Sequence, residues 1–127
     1  MTYQEIFEKA KENILSYSID ERKGHLAVQV NIVGEGEGAF YIELKDNVIF
    51  VEPYEYYDRD CILKVSGEDF IAISDGSLDP VAAFTKGKLK IEGSIDKALE
   101  FSKIVNEAIK NKKKSEKTEK AVKGKKK

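Results

Sequence analysis

The sequence predicts an α+β domain in which a five-stranded, mainly antiparallel sheet is covered by helices on one face. Three observations lead to this fold class. Apolar and polar residues alternate with a period of two in several short segments, which is typical of strands with one buried face. Helix-capping motifs stand before segments of helical periodicity. The 127 residues are enough for one domain with a single hydrophobic core.

The first element is a helix. Thr2 and Glu5 have the spacing of a capping box, in which each side chain accepts a hydrogen bond from the backbone of the other residue. Apolar residues then recur at helical spacing, so we expect an amphipathic helix over about residues 3–16. A polar connector, residues 17–23, follows and ends at Gly24.

Three strands are predicted next. Leu26–Ile32 and Phe40–Leu44 alternate apolar and polar residues and are joined by a glycine-rich link, which indicates a hairpin. A turn leads to Val48–Val51, and this order of elements predicts an antiparallel meander. Val48–Val51 has no polar alternation, so we expect both of its faces to be covered.

A fourth and a fifth strand, Cys61–Val65 and Lys88–Glu92, enclose two short helices. Ser66 and Asp69 have the spacing of a second capping box, so the first of these helices begins there. Asp79-Pro80 predicts the start of the second, because Asp accepts from free amides and Pro has no N–H to lose at the first helical position.

The last helix is predicted from Ser94, its N-cap, to Ile109. Its apolar face is unusually wide, so we expect it to contact more than one surface and, being terminal, to act as a gate. From Lys110 to Lys127 apolar residues nearly vanish. Such a segment buries too little to offset the entropy of ordering it, so the sequence predicts a disordered tail over residues 110–127.

The net charge of −1 hides an asymmetry, because residues 110–127 carry ten Lys and two Glu. The tail is therefore +8 and the remaining body −9. This leaves open a weak contact of the Lys-rich tail with an anionic membrane at low salt. The acidic body argues against a nucleic-acid-binding face, so we expect no specific nucleic acid partner.

Three pieces of the chain carry a more specific pattern. They are Ser66-Gly67-Glu68-Asp69-Phe70, Gly76-Ser77-Leu78-Asp79-Pro80 and Ala83-Phe84-Thr85-Lys86-Gly87-Lys88-Leu89-Lys90-Ile91-Glu92-Gly93. In this order and spacing they resemble the sterol carrier protein type 2 (sterol-binding, lipid-transfer) family, and the likeness extends over roughly Ile6 to Ile109. The resemblance implies a lipid-binding domain over residues 1–109 that holds a fatty acyl chain, sterol or similar apolar ligand in a tunnel between sheet and helices.

We expect inward strand residues and apolar helix residues to line this tunnel. The predicted lining residues are Val30, Ile32, Phe40, Ile42, Leu44, Phe70, Ile73, Leu78, Val81, Phe84, Leu89, Ile91, Leu99 and Val105. The resemblance implies non-catalytic binding of fatty acids, acyl-CoA, sterols or similar lipids, and leaves open their transfer between membranes. Two alternatives remain: a protein-interaction module with an apolar groove, and a small enzyme that depends on Cys61.

Other candidate sites have simpler explanations. Gly34–Gly38 alternates Gly and Glu but leads into a strand, whereas a phosphate-binding glycine loop leads into a helix. Cys61 lies on a predicted strand with no basic neighbour in sequence to lower its pKa. His25 is the single histidine and no Cys pair accompanies it, so we expect no metal and no cofactor. The single cysteine and the charged first residues favour the cytoplasm and predict no signal peptide.

Overall fold

The computed structural model describes the backbone of residues 1–17 and 24–126, and the side chains of the same ranges as far as residue 111. Of the predicted connector, residues 18–23 lie outside the described residues. The elements in chain order are α1 (Tyr3–Leu15), β1 (His25–Val33), β2 (Gly38–Lys45), β3 (Val48–Glu52), β4 (Cys61–Ser66), α2 (Gly67–Asp75), α3 (Pro80–Thr85), β5 (Leu89–Gly93) and α4 (Ile95–Lys126).

The five strands form one sheet in the order β3-β2-β1-β4-β5. β1 pairs antiparallel with β2, β2 with β3, and β4 with β5, while β1 and β4 run parallel. The prediction of a five-stranded, mainly antiparallel sheet is confirmed. The one parallel pair arises because the chain leaves the edge strand β3, crosses the sheet in the 53–60 loop, and returns beside β1.

The 53–60 loop covers the face of the sheet that the helices leave free. The Tyr56 backbone amide donates to Gln29 Oε1 at 3.1 Å, and the Ala27 amide donates to Asp60 Oδ2 at 2.8 Å. Tyr56 also donates its hydroxyl to Glu43 at 2.7 Å. The first of these bonds satisfies the side-chain oxygen of Gln29, which is buried in the central strand, and Gln29 Nε2 donates to Asn31 Oδ1 at 2.8 Å.

Side-chain caps begin the helices at the predicted residues. Thr2 and Glu5 form the complete capping box of α1. Ser66 accepts from the Asp69 amide at 3.2 Å at the start of α2, and Asp79 accepts from the Ala82 amide at 2.9 Å at the start of α3. Each cap satisfies an amide that has no partner inside its helix.

The main core lies between the helices and the face of the sheet that carries Val28, Val30 and Ile32. Phe40 stands at its centre, with edge-to-face contacts to Phe7 of α1 and Phe70 of α2 at ring distances of 5.5 Å. This is the favoured geometry for aromatic pairs. Helices α1 and α2 are thereby fixed over β1 and β2.

One prediction about the sheet is wrong, because β3 is not covered on both faces. Val48 is 50% exposed and Phe50 is also exposed, whereas Val51 is buried against the helices. β3 lies at the edge of the sheet, and the 53–60 loop does not cover the face that carries Val48 and Phe50. An apolar run alone does not distinguish such a strand from a central one.

Helix α4 continues to Lys126 without a break, past Lys110, where the sequence predicts that the helix gives way to a disordered tail. Lys, Glu and Ala are good helix formers, so the backbone there follows local propensity. Disorder of residues 110–127, and the division of the chain at residue 109, stay predictions. Among the described residues, no helix is both long and apolar enough to span a membrane.

Candidate functional site

The predicted tunnel residues divide into two groups in the structure. Nine of them are buried and belong to one core cluster, which Leu78 and Ile91 join as partly buried neighbours. The nine are Val30, Ile32, Phe40, Ile42, Leu44, Phe70, Ile73, Leu89 and Val105. These nine side chains lie together in the core, as the sequence predicts. A tunnel between them stays a prediction.

The other three predicted residues lie at the surface. Val81 is 48% exposed, Phe84 41% and Leu99 51%. The six-residue helix α3 buries only Pro80 and Ala83, so its two larger apolar side chains remain accessible. Uncovered apolar side chains scattered singly are ordinary, but a group of them marks a surface that binds something apolar.

These exposed side chains border a groove between α3 and α4. Val81 of α3 and Leu99 of α4 line the same pocket, which has a volume of about 520 Å³ and is open to solvent. Phe84 follows Val81 by three residues, and Ile95, also exposed, precedes Leu99 by four. Residues at these spacings are neighbours on a helix surface. The α3–α4 groove therefore continues an apolar strip along both helices.

Polar residues of α4 complete the lining of the α3–α4 groove. They are Ser102, Lys103, Asn106, Glu107 and Lys110. Apart from Ser102, these residues are not among those predicted from the sequence, because the prediction for this helix rests on its apolar face alone. Their signal was present: Leu99, Lys103, Asn106 and Lys110 stand at i, i+4, i+7 and i+11, which places them on one face of a helix.

A side-chain hydrogen bond links the two walls of the groove. Asn106 Nδ2 donates to Asp79 Oδ1 at 3.1 Å, while Asp79 Oδ2 caps α3. Further along α4, Ile109 packs over Gly76, whose φ of +89° ends α2. A Cβ atom there would lie 2.8 Å from Ile109 Cγ2. Asp79 thus serves both the start of α3 and its contact with α4.

Helix α4 is anchored far better than α3. Ala98, Phe101, Ile104, Val105 and Ala108 are all buried against the sheet and the other helices. Burial of large apolar side chains contributes about 1.5–3 kcal/mol each, whereas α3 contributes only a proline and an alanine. Of the two walls, α3 is therefore the easier one to move.

Two other pockets involve the 53–60 loop and have a different character. One, of about 320 Å³, is lined by Glu37, Glu55 and Lys64 among others. The second, of about 360 Å³, includes Arg59 and Glu92. Charged side chains line both of these pockets, as they do the α3–α4 groove, but the groove alone of the three brings together exposed apolar side chains of two facing helices, Val81 and Leu99.

The position of Cys61 disfavours it as a nucleophile. Cys61 is 1% exposed, and burial, assisted by the charge of Asp60, raises the pKa of its thiol to about 11. The thiolate needed for nucleophilic attack is therefore scarce at neutral pH. His25 lies at the surface against Glu43. Within the described ranges, no three His, Cys, Asp or Glu residues form a group that could hold a metal ion.

The chain is similar in sequence to known proteins over most of its length. The model of the SCP-2 sterol transfer family matches residues 4–106. A hydroxysteroid dehydrogenase-like protein 2 of Bos taurus is 32% identical over 108 residues, which are 82% of this chain and 25% of that protein. A non-specific lipid-transfer protein-like 1 of Caenorhabditis elegans is 29% identical over 103 residues, 80% of this chain and 87% of that relative. The chain thus spans about a quarter of the dehydrogenase-like relative.

Solved structures share the fold. The solution structure of palmitated SCP2L2 from Aedes aegypti has a TM-score of 0.60 at 23% identity, over 83% of this chain and 95% of that one. The crystal structure of sterol carrier protein-2 like-3 from the same organism has a TM-score of 0.57 at 17% identity, over 79% of this chain and 92% of that one. With the family model matching over most of its length, the chain belongs to the SCP-2 sterol transfer family.

Proposed function

We propose that this protein binds a lipid with an extended apolar chain, such as a fatty acid or an acyl-CoA, without catalysing a reaction on it. The observation that carries this proposal is the α3–α4 groove, where Val81 and Leu99 are uncovered beside the core. The family supports it, and so does the palmitated relative that shares the fold.

The energetics favour a binder of moderate affinity. Burying each CH₂ group contributes about 0.8 kcal/mol, so a chain of about a dozen carbons contributes roughly 10 kcal/mol before costs. Association costs about 4–15 kcal/mol. At the low end of that cost a net of about 6 kcal/mol remains, which corresponds to a Kd of roughly tens of micromolar. Selectivity for the apolar part is loose, because apolar contacts have little directionality.

The lipid enters between α3 and α4 in this proposal. Outward movement of α3 breaks the bond from Asn106 to Asp79 and uncovers few buried side chains, since Pro80 and Ala83 are the only buried residues of α3. The space so opened leads toward Phe70, Ile73, Leu89 and Val105, which belong to the predicted tunnel lining. The sequence predicts that the last helix, α4, acts as the gate. Because α4 is anchored by several buried side chains, we propose α3 as the gate instead.

Titration with a fluorescent fatty acid tests the proposal. We expect saturable binding below ~100 µM, which corresponds to at least about 5–6 kcal/mol. The Leu99→Asp variant should bind at least roughly tenfold more weakly, because the carboxylate must be desolvated beside the chain. Val48→Asp is the matched control, because Val48 is equally exposed but lies at the opposite edge of the sheet. Absence of saturable binding to the wild-type protein, or equal losses in both variants, contradicts the proposal.

The Lys-rich end of the chain supplies a second, weaker interaction in this proposal. Lys near an anionic membrane contributes about 1 kcal/mol each and is screened by salt, so a segment of charge +8 holds the carrier at an anionic surface at low salt. Removal of residues 111–127 should abolish low-salt sedimentation with vesicles that contain phosphatidylserine. Vesicles of phosphatidylcholine alone are the control, and unchanged sedimentation of the truncated protein contradicts this role.

A further inference from the structure

The polar side of the α3–α4 groove has a charge of its own. Lys103 and Lys110 both line it, together with Asn106 between them and the apolar Leu99 one turn before. Their spacing places all four on one face of α4. An apolar contact and two ammonium groups therefore follow one another along a single wall of the pocket.

Neither ammonium group belongs to an ion pair among residues 1–17 and 24–111. In the part of the chain whose side chains are described, ion pairs engage Lys64 with Glu92 and Lys97 with Glu100, while Lys103 and Lys110 belong to none. Glu107 also lines the groove, and the Asp79 carboxylate lies beside it, bonded to Asn106. Both oxygens of Asp79 already accept hydrogen bonds, one from Asn106 and one from the Ala82 amide at the start of α3. The charged groups of the lining that remain for a ligand are therefore Lys103, Lys110 and Glu107, two cations against one anion.

We infer that the α3–α4 groove is a headgroup site for anionic single-chain lipids, in which Lys103 and Lys110 bind the anion while Val81 and Leu99 contact the start of the chain. This inference rests on the proposed function and adds a preference for the charged form of the lipid. Asn106 supports the site, because its amide donates one N–H to Asp79 and keeps a second for the ligand.

The shared chemistry is a terminal oxyanion, which a carboxylate or a phosphate can supply. Hydrogen bonds to charged groups are stronger than hydrogen bonds between neutral groups. Because Lys103 and Lys110 are exposed, dissolved salt should weaken their attraction for the anion. We therefore expect roughly tenfold tighter binding of an anionic lipid than of the uncharged alcohol of equal chain length at low salt. That difference should shrink as the salt concentration rises.

Competition against a fluorescent fatty acid tests this inference with three ligands of equal chain length: dodecanoate, dodecyl phosphate and dodecanol. The wild-type protein is compared with the double variant Lys103→Gln/Lys110→Gln. Lys97→Gln is the control, because Lys97 lies on the same helix but pairs with Glu100 and does not line the groove. Circular dichroism and thermal unfolding verify that each variant folds.

The expected result is a roughly tenfold loss of affinity for dodecanoate or dodecyl phosphate in the double variant, with dodecanol unchanged and Lys97→Gln like the wild type. A larger loss for one anion identifies which headgroup the site prefers. Equal affinity of dodecanol and both anions for the wild-type protein, or equal losses in Lys97→Gln, overturns the headgroup site and leaves the proposed lipid binding intact. Failure of all three ligands to bind the wild-type protein overturns both.

Discussion

Two halves of the molecule share one sheet and differ in how they are closed. Over β1 and β2, helices α1 and α2 enclose a continuous aromatic series from Phe7 through Phe40 to Phe70. Near the opposite edge of the sheet, α3 and α4 leave Val81 and Leu99 uncovered around a groove. In the function proposed above, this difference is a division of labour: the closed half holds the fold and the open half accepts the ligand.

Polar contacts show the same asymmetry. Tyr17 of the closed half donates its hydroxyl to the Ser74 carbonyl at 2.7 Å, and Asn13 donates to the Ser74 hydroxyl at 2.9 Å. Desolvation, assisted by the charge of Asp75, moves the pKa of Tyr17 well above its usual value, as expected for a partly buried phenol beside a carboxylate. Across the open half, the corresponding link is the exposed bond between Asn106 and Asp79. Fewer buried interactions mean a lower cost of local opening.

The largest expected effect is on stability. Phe70→Ala removes a buried ring from the closed half and should lower the free energy of unfolding by about 3–5 kcal/mol. Leu99→Ala in the open half should cost about 0.5 kcal/mol, because its side chain is half exposed. Urea unfolding followed by circular dichroism measures both. Similar losses in the two variants would show that the open half is as important to the fold as the closed one.

An intermediate effect is expected at Asp79. Asp79→Ala removes the cap of α3 and its bond to α4, and should cost about 1 kcal/mol. Asn106→Ala removes the bond to α4 but keeps the cap, so it should cost less. Amide hydrogen exchange of α3 measures local opening in both variants. If Asn106→Ala accelerates exchange as much as Asp79→Ala, the link between the helices, and not the cap, holds α3 in place.

The smallest effect on ligand binding is expected at Cys61. Cys61→Ala should leave the affinity for a fluorescent fatty acid unchanged within about twofold, whereas an enzyme dependent on this thiol would lose its activity.

The thiol of Cys61 should also make stability depend on pH. Because burial raises the pKa of the thiol from 9.0 to about 11, its neutral form contributes stability below pH 9 that is lost as the pH rises through about 11. That alkaline loss should be smaller in Cys61→Ala, as pH-dependent urea unfolding measures.

Local chemistry made most of the fold predictable from sequence. Alternation located four strands, a short apolar run after a turn located β3, and the caps at Thr2, Ser66 and Asp79 located helix starts to within a residue. The exposure of β3 was not predictable, because it depends on which strand ends up at the edge of the sheet. The same holds for Val81 and Leu99, whose apolar character is readable but whose exposure depends on how much α3 covers.

The polar part of the candidate site is a different case. Lys103 and Lys110 look like ordinary solvated residues in the sequence, since lysines on the outer face of a helix are common. Only the proximity of α3 turns that helix face into the wall of a pocket. The spacing of the two lysines in the sequence shows only that they share one face of α4; that this face borders a pocket depends on where α3 lies.

Backbone amide shifts measured by NMR during titration with dodecanoate test the central claim most directly. If the open half accepts the lipid, the largest shifts should fall on α3 and on residues 95–110 of α4, with small changes at Phe7 and Phe40. Shifts concentrated in α1 and α2 would contradict the account, because the lipid would then enter through the half that we assign to the fold.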